Sequence, residues 1–569
     1  MKKDTQRNFI REVVIVTLLG LALLYPRLQQ LGKYIFIDET YYLKHGAQFY
    51  WAIANQEFDK TDLVVHPGVT TNWLGASAFR LFFPEYAEKQ KSSAIADLQF
   101  RRILEKNDLS MIYMLIWARA GVAGFNAVML VLAFLLARRL FNPWLAALGV
   151  LLAGFDPFYF DYSRFLHVDG ILSTLMLVSS LAFLVYLKEH RWGWLLLSGV
   201  LAGLSVLTKV PGILMLGMVG LFGLIDWARR ENNAFGAPRS WRGLASLAGK
   251  VGIWLAVLLL VVFLVWPAMW VDPIGRLARI SAFVLDQGSA EVISPMFFNG
   301  EQNPTGVFGW EYAYYYPLSY LWRASPVTLA GLALLAGAYF FRKKLAEKEI
   351  AWDVVGKLLL FVAVYAVLMT VSVKKFDRYI LPAVLPLNVL AGAGFYVWIR
   401  SGIDALVSGG AQSRLRQAVL GLGVLAIVGL QGWQVYSVFP YGLSYYNPLM
   451  GGGEKAADVM MVGYGEGLDQ AAAYMMTVPN KRNLTIYSFY SNAFGFHFMH
   501  QIDEILWYED EIPEPMLEAD YWIVYRSQRQ RGMSEVIFEM LEGHQPEHTV
   551  VINGIEYAWV YKLAEIREK

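Results

Sequence analysis

Residues 163–187 read SRFLHVDGILSTLMLVSSLAFLVYL, and this stretch decides the fold. From Val168 to Leu187 it has the length and apolarity of a helix that crosses a hydrocarbon core, which takes about 20 residues. Arg164 and Asp169 stand at its mouth. Charges in or beside a span are costly in lipid and therefore point to function.

Comparable runs recur near 9–28, 111–137, 143–160, 192–208, 210–227, 247–268, 321–341, 354–373, 379–399 and 415–438, giving about eleven spans with 168–187. Composition agrees. The chain is 56% hydrophobic and 17% charged, against about 45–50% and about 25% for a soluble globular protein. Its many Trp and Tyr residues suit membrane interfaces. No basic patch with interleaved aromatics is present, so no nucleic-acid partner is expected. The absence of Cys excludes disulfides, Cys-ligated zinc and thiol catalysis. After the charged Met1–Arg11, the apolar run Val13–Tyr25 lacks a small-residue cleavage site and reads as a retained first span.

Lys and Arg in alternate short loops set the orientation. Lys2, Lys3 and Arg7, Arg138 and Arg139, Lys188 and Arg191, Arg229 and Arg230, and Arg400, Arg414 and Arg416 belong on the cytoplasmic side. The N-terminus is then cytoplasmic, and the C-terminal region lies outside a plasma (inner) membrane. Residues 1–438 read as the membrane domain. Its first outer loop, 29–110, should carry amphipathic helices along the interface, and a second long outer loop covers 269–320. After about 439 the composition turns soluble. Glu466–Met476 and Met533–Leu541 read as helices, Asn483–Tyr490 and Ala519–Tyr525 as strands, and His548–Asn553 with Glu556–Tyr561 as a hairpin at Gly554. A small α/β domain over 439–569 is expected.

The isolated charges collect on the outer side. They are Asp38 and Glu39, His66, Asp161, Arg164 and Asp169, Lys209, and the Lys374, Lys375, Asp377, Arg378 cluster. Lys374 and Lys375 break the positive-inside pattern, which asks for a reason. Acids in such a set can take a proton from a hydroxyl, and bases can hold a phosphate and stabilise it as a leaving group. Some readings stay open. Asp38 fits a helix cap as well as a base, Lys209 a snorkelling side chain, and Arg164 with Asp169 an ion pair. Arg119, inside its span, suits a buried pair with an outer-loop acid or a ligand contact. His497 and His500 near Asp503 have metal-binding spacing but no third ligand. Glu301 and Glu311 are candidates for acceptor binding.

Five stretches carry a family resemblance: Ile37-Asp-Glu-Thr40; His66-Pro-Gly68; Ser163-Arg-Phe-Leu-His-Val-Asp-Gly170; Leu201-Ala-Gly-Leu-Ser-Val-Leu-Thr-Lys-Val-Pro211; and Ser372-Val-Lys-Lys-Phe-Asp-Arg-Tyr-Ile-Leu-Pro382. Over about 30–400 the chain resembles membrane glycosyltransferases of the GT-C fold, in particular protein O-mannosyltransferases and the aminoarabinose transferases of lipid A. The resemblance implies an α-helical integral membrane enzyme with a polyprenyl-phosphate-linked sugar donor, inversion at the anomeric carbon, and a protein, lipid or glycan acceptor. It maps Asp38 as the base with Glu39 beside it, and places Lys209, Lys374, Lys375, Arg378 and Arg164 near the donor phosphate. His66, Asp169 and Arg119 take supporting positions. His66-Pro-Gly departs from the His-Pro-Pro of mannosyltransferases. No cofactor is required on this reading, the bases replacing a divalent metal as counter-charge. The other class these features allow is a transporter or flippase of a lipid-linked sugar, but the charges gather at one face rather than mid-membrane, and no internal repeat is present.

Overall fold

Apolar runs that cannot bury themselves in water fold as helices, which satisfy every backbone polar group internally. The computed structural model describes residues 2–64, 67–229, 234–236, 239–286, 295–307, 309–341, 350–372, 374–406, 413–498, 502–506 and 511–567. Among them, eight helices are long and apolar enough to cross a membrane: Phe9–Leu28, Met111–Leu140, Val168–Glu189, Val210–Arg229, Trp241–Val265, Trp352–Val371, Asp377–Ala405 and Arg414–Val438. A ninth span forms if Trp310–Arg323 and Pro326–Phe340, which meet at 113°, are taken as one broken segment. The protein is thus a multi-pass membrane protein.

The remaining two expected spans are short helices, the first shorter than expected and the second with the expected bounds. Pro143–Gly154 has 12 residues, about 18 Å of helix, and Trp192–Thr208 has 17. The run expected over 143–160 breaks because Pro157 disfavours helical geometry at the preceding residue. Asp156 instead caps a new helix, Pro157–Tyr162, accepting the N–H groups of Phe158 and Tyr159 at 3.1 and 3.0 Å.

Val168–Glu189 is the central helix, and every residue from Val168 to Leu187 is buried. It packs against Met111–Leu140, Trp192–Thr208 and Leu381–Leu406. Buried polar contacts knit the bundle, as expected where lipid gives helices little hydrophobic reason to associate. Asn388 donates to Asp156 at 2.9 Å and accepts from Thr328 at 2.7 Å, while Ser325 donates to Gln431 at 2.6 Å. In the first loop, Glu39–Ala54, Val69–Phe82, Tyr86–Lys89 and Asp97–Glu105 are helical. Gly46 and Gly75 let the first two touch, since a Cβ on Gly46 would lie 2.7 Å from the Gly75 Cα.

Strands β1 (Met296–Phe298) and β2 (Glu301–Asn303) form a hairpin in the second long loop. The C-terminal region carries β3 (Ile486–Ser488), β4 (Asp503–Glu504), β5 (Tyr521–Tyr525), β6 (His548–Ile552) and β7 (Ile555–Lys562), in one sheet of order β4-β3-β5-β7-β6. The pairs of β3 with β4 and β5 are parallel, and β7 pairs antiparallel with β5 and β6. The expected hairpin at Gly554 is β6–β7, turned by Asn553 and Gly554 with φ of 50° and 77°, as an Asn-Gly hairpin turn requires. The expected helices shorten to Leu468–Met475 and Glu535–Met540.

Candidate active site

Four loops at one end of the bundle meet beneath the C-terminal domain: 34–38, 163–168, the break at Lys209, and 374–380. Two of them are pinned from inside, at Ser163 and at Asp377. The buried Arg27 donates to Ser163 Oγ at 2.7 Å and to the Gly154 carbonyl at 2.5 Å. Asn126 donates to the Ser163 carbonyl at 3.0 Å. Asp377 accepts from Arg323 Nε at 2.8 Å and from the Tyr464 hydroxyl at 2.8 Å. Arg323 also holds the carbonyls of Leu443 and Tyr445 at 2.7 and 3.0 Å, joining the membrane domain to the start of the C-terminal domain.

Asp38 sits at the N-cap position of Glu39–Ala54, but its side chain makes no capping hydrogen bond. The bland reading of this residue therefore fails. The carboxylate turns to the cluster, with Oδ2 3.1 Å from His167 Nε2 and 3.4 Å from Arg378 Nη2. His167 caps the central helix, its Nδ1 accepting the Asp169 N–H at 3.3 Å. With Nδ1 turned to that N–H, the Nε2 edge of the ring faces Asp38. Asp169 Oδ1 takes Lys209 Nζ at 2.7 Å, and its Oδ2 lies 3.4 Å from Arg378 Nε. Asp38, His167, Asp169 and Arg378 thus form a closed ring, to which Lys209 is attached at Asp169.

Asp38 is its most open member. Its side chain is 36% exposed, against 14% for Lys209, 10% for Arg378 and 3% for Asp169. Burial alone would raise the Asp38 carboxyl; the His167 hydrogen bond and the charges of Arg378 and Lys209 outweigh it and hold the group well below the usual carboxylate range. Lys374 lies half-buried beside the ring with its Nζ 5.5 Å over Phe376, and burial, then Arg378, lower its pKa. Lys374 adds a third cationic side chain to Arg378 and Lys209.

Several expected site residues stand elsewhere. Glu39 points inward, away from the ring. Its Oε1 accepts from Arg119 Nε at 2.7 Å and from the Leu166 N–H at 2.8 Å. Its Oε2 accepts from the Phe36 N–H at 3.0 Å and from Arg119 Nη2. With both oxygens saturated and no exposure, Glu39 fixes the loop and is not placed to take a substrate proton. Arg119 also holds the Leu31 and Tyr34 carbonyls at 2.6 and 3.0 Å, so the buried-pair reading of Arg119 is the one observed. Arg119→Met, which leaves Glu39 unpaired, is expected to cost about 3–5 kcal/mol of stability. A thermal melt in detergent checks this, and an unchanged melting temperature would contradict it.

Arg164 is likewise off the phosphate position. It donates to the carbonyls of Gln29 and Gln30 at 2.9 and 3.3 Å and lies 3.7 Å from Asp161. Lys375 is buried and donates to the Ser372 carbonyl at 2.8 Å; burial pushes it down to about 8. Glu301 and Glu311 are exposed, on β2 and on the turn Trp310–Tyr312. His66 and His500 lie outside the described residues, and His497 follows the short helix Ser491–Phe494. Among the described residues no three His, Asp or Glu side chains converge as a metal-binding group. Three members went unread in the sequence: His167, Arg323 and Tyr464. The signal for His167 was there, two residues before Asp169 in the quoted stretch.

What fold and cluster define is a multi-pass helical membrane protein whose charged, loop-built site lies under an α/β domain. Residues 115–271 match the family model described as dolichyl-phosphate-mannose-protein mannosyltransferase. That segment holds His167, Asp169 and Lys209 but neither Asp38 nor Arg378. No curated protein matches the chain in sequence. Among solved structures, ArnT from Cupriavidus metallidurans bound to undecaprenyl phosphate is 14% identical, with 96% of this chain and 97% of that chain covered and a TM-score of 0.48. Its apo form gives 14%, 98%, 99% and 0.49. The oligosaccharyltransferase AglB from Archaeoglobus fulgidus, in complex with an inhibitory peptide and a dolichol-phosphate, is 13% identical, covering 91% of this chain and 69% of that chain at 0.44.

Proposed function

We propose that the protein is a GT-C glycosyltransferase that moves a sugar from a polyprenyl-phosphate donor to an acceptor hydroxyl, with inversion. The observation that carries this reading is the placement of Asp38, an open carboxylate within reach of Arg378 and of the Asp169–Lys209 pair. The match of residues 115–271 to a family described by a dolichyl-phosphate sugar supports the donor class.

The step is one in-line displacement. The acceptor oxygen attacks the anomeric carbon, the bond from that carbon to the phosphate oxygen breaks, and the phosphate leaves with the electron pair. The hydroxyl proton passes to Asp38. Arg378, Lys209 and Lys374 face the leaving phosphate, where fixed positive charge is most effective. The low pKa of Asp38 would make it a weak base, but a bound phosphate competes for Arg378 and Lys209. As those cations turn to the phosphate, the Asp38 carboxyl rises towards its ordinary value, and the base strengthens when the donor is in place.

Orientation follows from the basic residues. Lys188 lies 19 residues along the central helix from Asp169, about 28 Å at helical rise, and Arg138 and Arg139 end the neighbouring span. The positive-inside rule then puts the site on the extracytoplasmic side of the plasma (inner) membrane, where no nucleotide-sugar pool is expected and a lipid-anchored donor is the natural source.

The test is incubation of the purified protein with undecaprenyl-phosphate-linked hexose or pentose, reading release of undecaprenyl phosphate. Release supports the proposal. Movement of the lipid-linked sugar across a vesicle membrane with the glycosyl bond intact would identify a flippase instead. Because three cations supply the phosphate's counter-charge, turnover is expected to persist in excess EDTA; loss of activity with chelator, restored by a divalent ion, would refute that part.

A further inference from the structure

The segment Gly463-Tyr-Gly-Glu-Gly467 of the C-terminal domain reaches into the charged cluster. Its glycines have φ of 100°, 112° and 85°, a region that residues with side chains avoid. At Gly465 the need is also steric, since a Cβ there would lie 2.1 Å from the Ile35 carbonyl oxygen. The loop is thereby brought flush against the segment that leads into Asp38. It is fixed from behind by Tyr525, whose phenol accepts the Gly465 N–H at 3.0 Å and donates to the Glu466 carbonyl at 2.9 Å.

Tyr464 touches both halves of the site. Its carbonyl accepts the Ile37 N–H at 3.0 Å, and its ring stacks on Phe36 with centroids 5.5 Å apart. Its hydroxyl donates to Asp377 Oδ1 at 2.8 Å. The guanidinium carbon of Arg378 lies 5.0 Å from its ring centroid and 4.5 Å from that of Phe376. A desolvated guanidinium against an aromatic face is held in position as well as stabilised.

We propose that Tyr464 is a positioning residue for sugar transfer, acting through Arg378: it fixes the guanidinium so that its N–H groups meet both Asp38 and the donor phosphate. This rests on the assignment of Arg378 to that phosphate. The C-terminal domain is on this view a working part of the site, contributed by the one loop whose glycines permit the approach.

The test uses the full-length protein with undecaprenyl-phosphate-linked sugar. Y464F keeps the aromatic face, whereas Y464L and the more adaptable Y464M remove it. Y464F is expected to keep kcat within about threefold, while Y464L and Y464M lose roughly tenfold or more in kcat with little change in donor KM. In an R378Q background, the Leu and Met changes should add less than about twofold, because their effect runs through the missing guanidinium. Effects that multiply in that background, or wild-type kcat in Y464L and Y464M while R378Q is impaired, overturn the positioning role and leave the function standing. Near-normal kcat in R378Q overturns the phosphate assignment, and the positioning role with it.

Discussion

Asp38→Asn is expected to retain the fold and lose about 10²–10⁴ in kcat. Asparagine has nearly the shape of aspartate and still hydrogen-bonds His167 Nε2, so the loop keeps its anchor. The side chain makes no helix cap, and Glu39 with Arg119 carries the local structure. What the substitution removes is the open carboxylate proposed to take the proton. The melting temperature should fall by the pairing that the charge contributes, while the variant stays folded and still binds undecaprenyl phosphate; a variant with near-normal turnover would falsify Asp38 as the base.

The wild-type pH profile adds a second readout. Asp38 has a depressed pKa in the free protein, so its charged form, and the stability its pairing contributes, persist above the ordinary carboxylate value and are lost only as pH falls through the lower folded value. The acid limb of kcat/KM, which reports the free enzyme, should lie at lower pH than the limb of kcat, which reports the donor complex. The reverse order would contradict the competition of phosphate for Arg378 and Lys209.

Arg378→Gln is the second large effect, expected at about 10²–10³ in kcat, the size found when one preorganised charge partner of a transition state is removed. Of the two cations Arg378 and Lys209, Arg378 is the one that lies 3.4 Å from each carboxylate, so its loss takes from Asp38 its nearest positive charge. The Asp38 carboxyl must then rise, and the acid limb of kcat/KM moves to higher pH. A fall in kcat without that movement would mean that Arg378 serves the phosphate but does not govern Asp38.

The spans were readable because a lipid-facing helix announces itself by length and apolarity, and the β6–β7 hairpin because Asn553-Gly554 admits few other turns. Hydropathy hid the break at Asp156, although Pro157 marks it. Within the site, residue type told less than direction. Asp38 and Glu39 are neighbours, yet at the start of a helix successive side chains point about 100° apart, so one faces the ring and the other Arg119. Lys374 and Lys375 divide in the same way between cluster and loop. Arg164 carries the right charge but spends its donors on the Gln29 and Gln30 carbonyls, a pairing no spacing reveals. Tyr464 lies 87 residues beyond its partner Asp377, in a domain whose docking only the folded chain defines.

Asp38 and Arg378 are separated by 340 residues, and this distance sets a timetable for biosynthesis. At about 5–20 residues per second, roughly 17–70 s pass between the emergence of Asp38 from the ribosome and that of its cationic neighbour, and Tyr464 follows later still. Throughout that interval the nascent polypeptide carries Asp38 without its Arg378 partner and a bundle without its cap. A chain cut short between Lys209 and Arg378 therefore holds Asp38 with His167 and Lys209 but without the guanidinium that lies against both carboxylates.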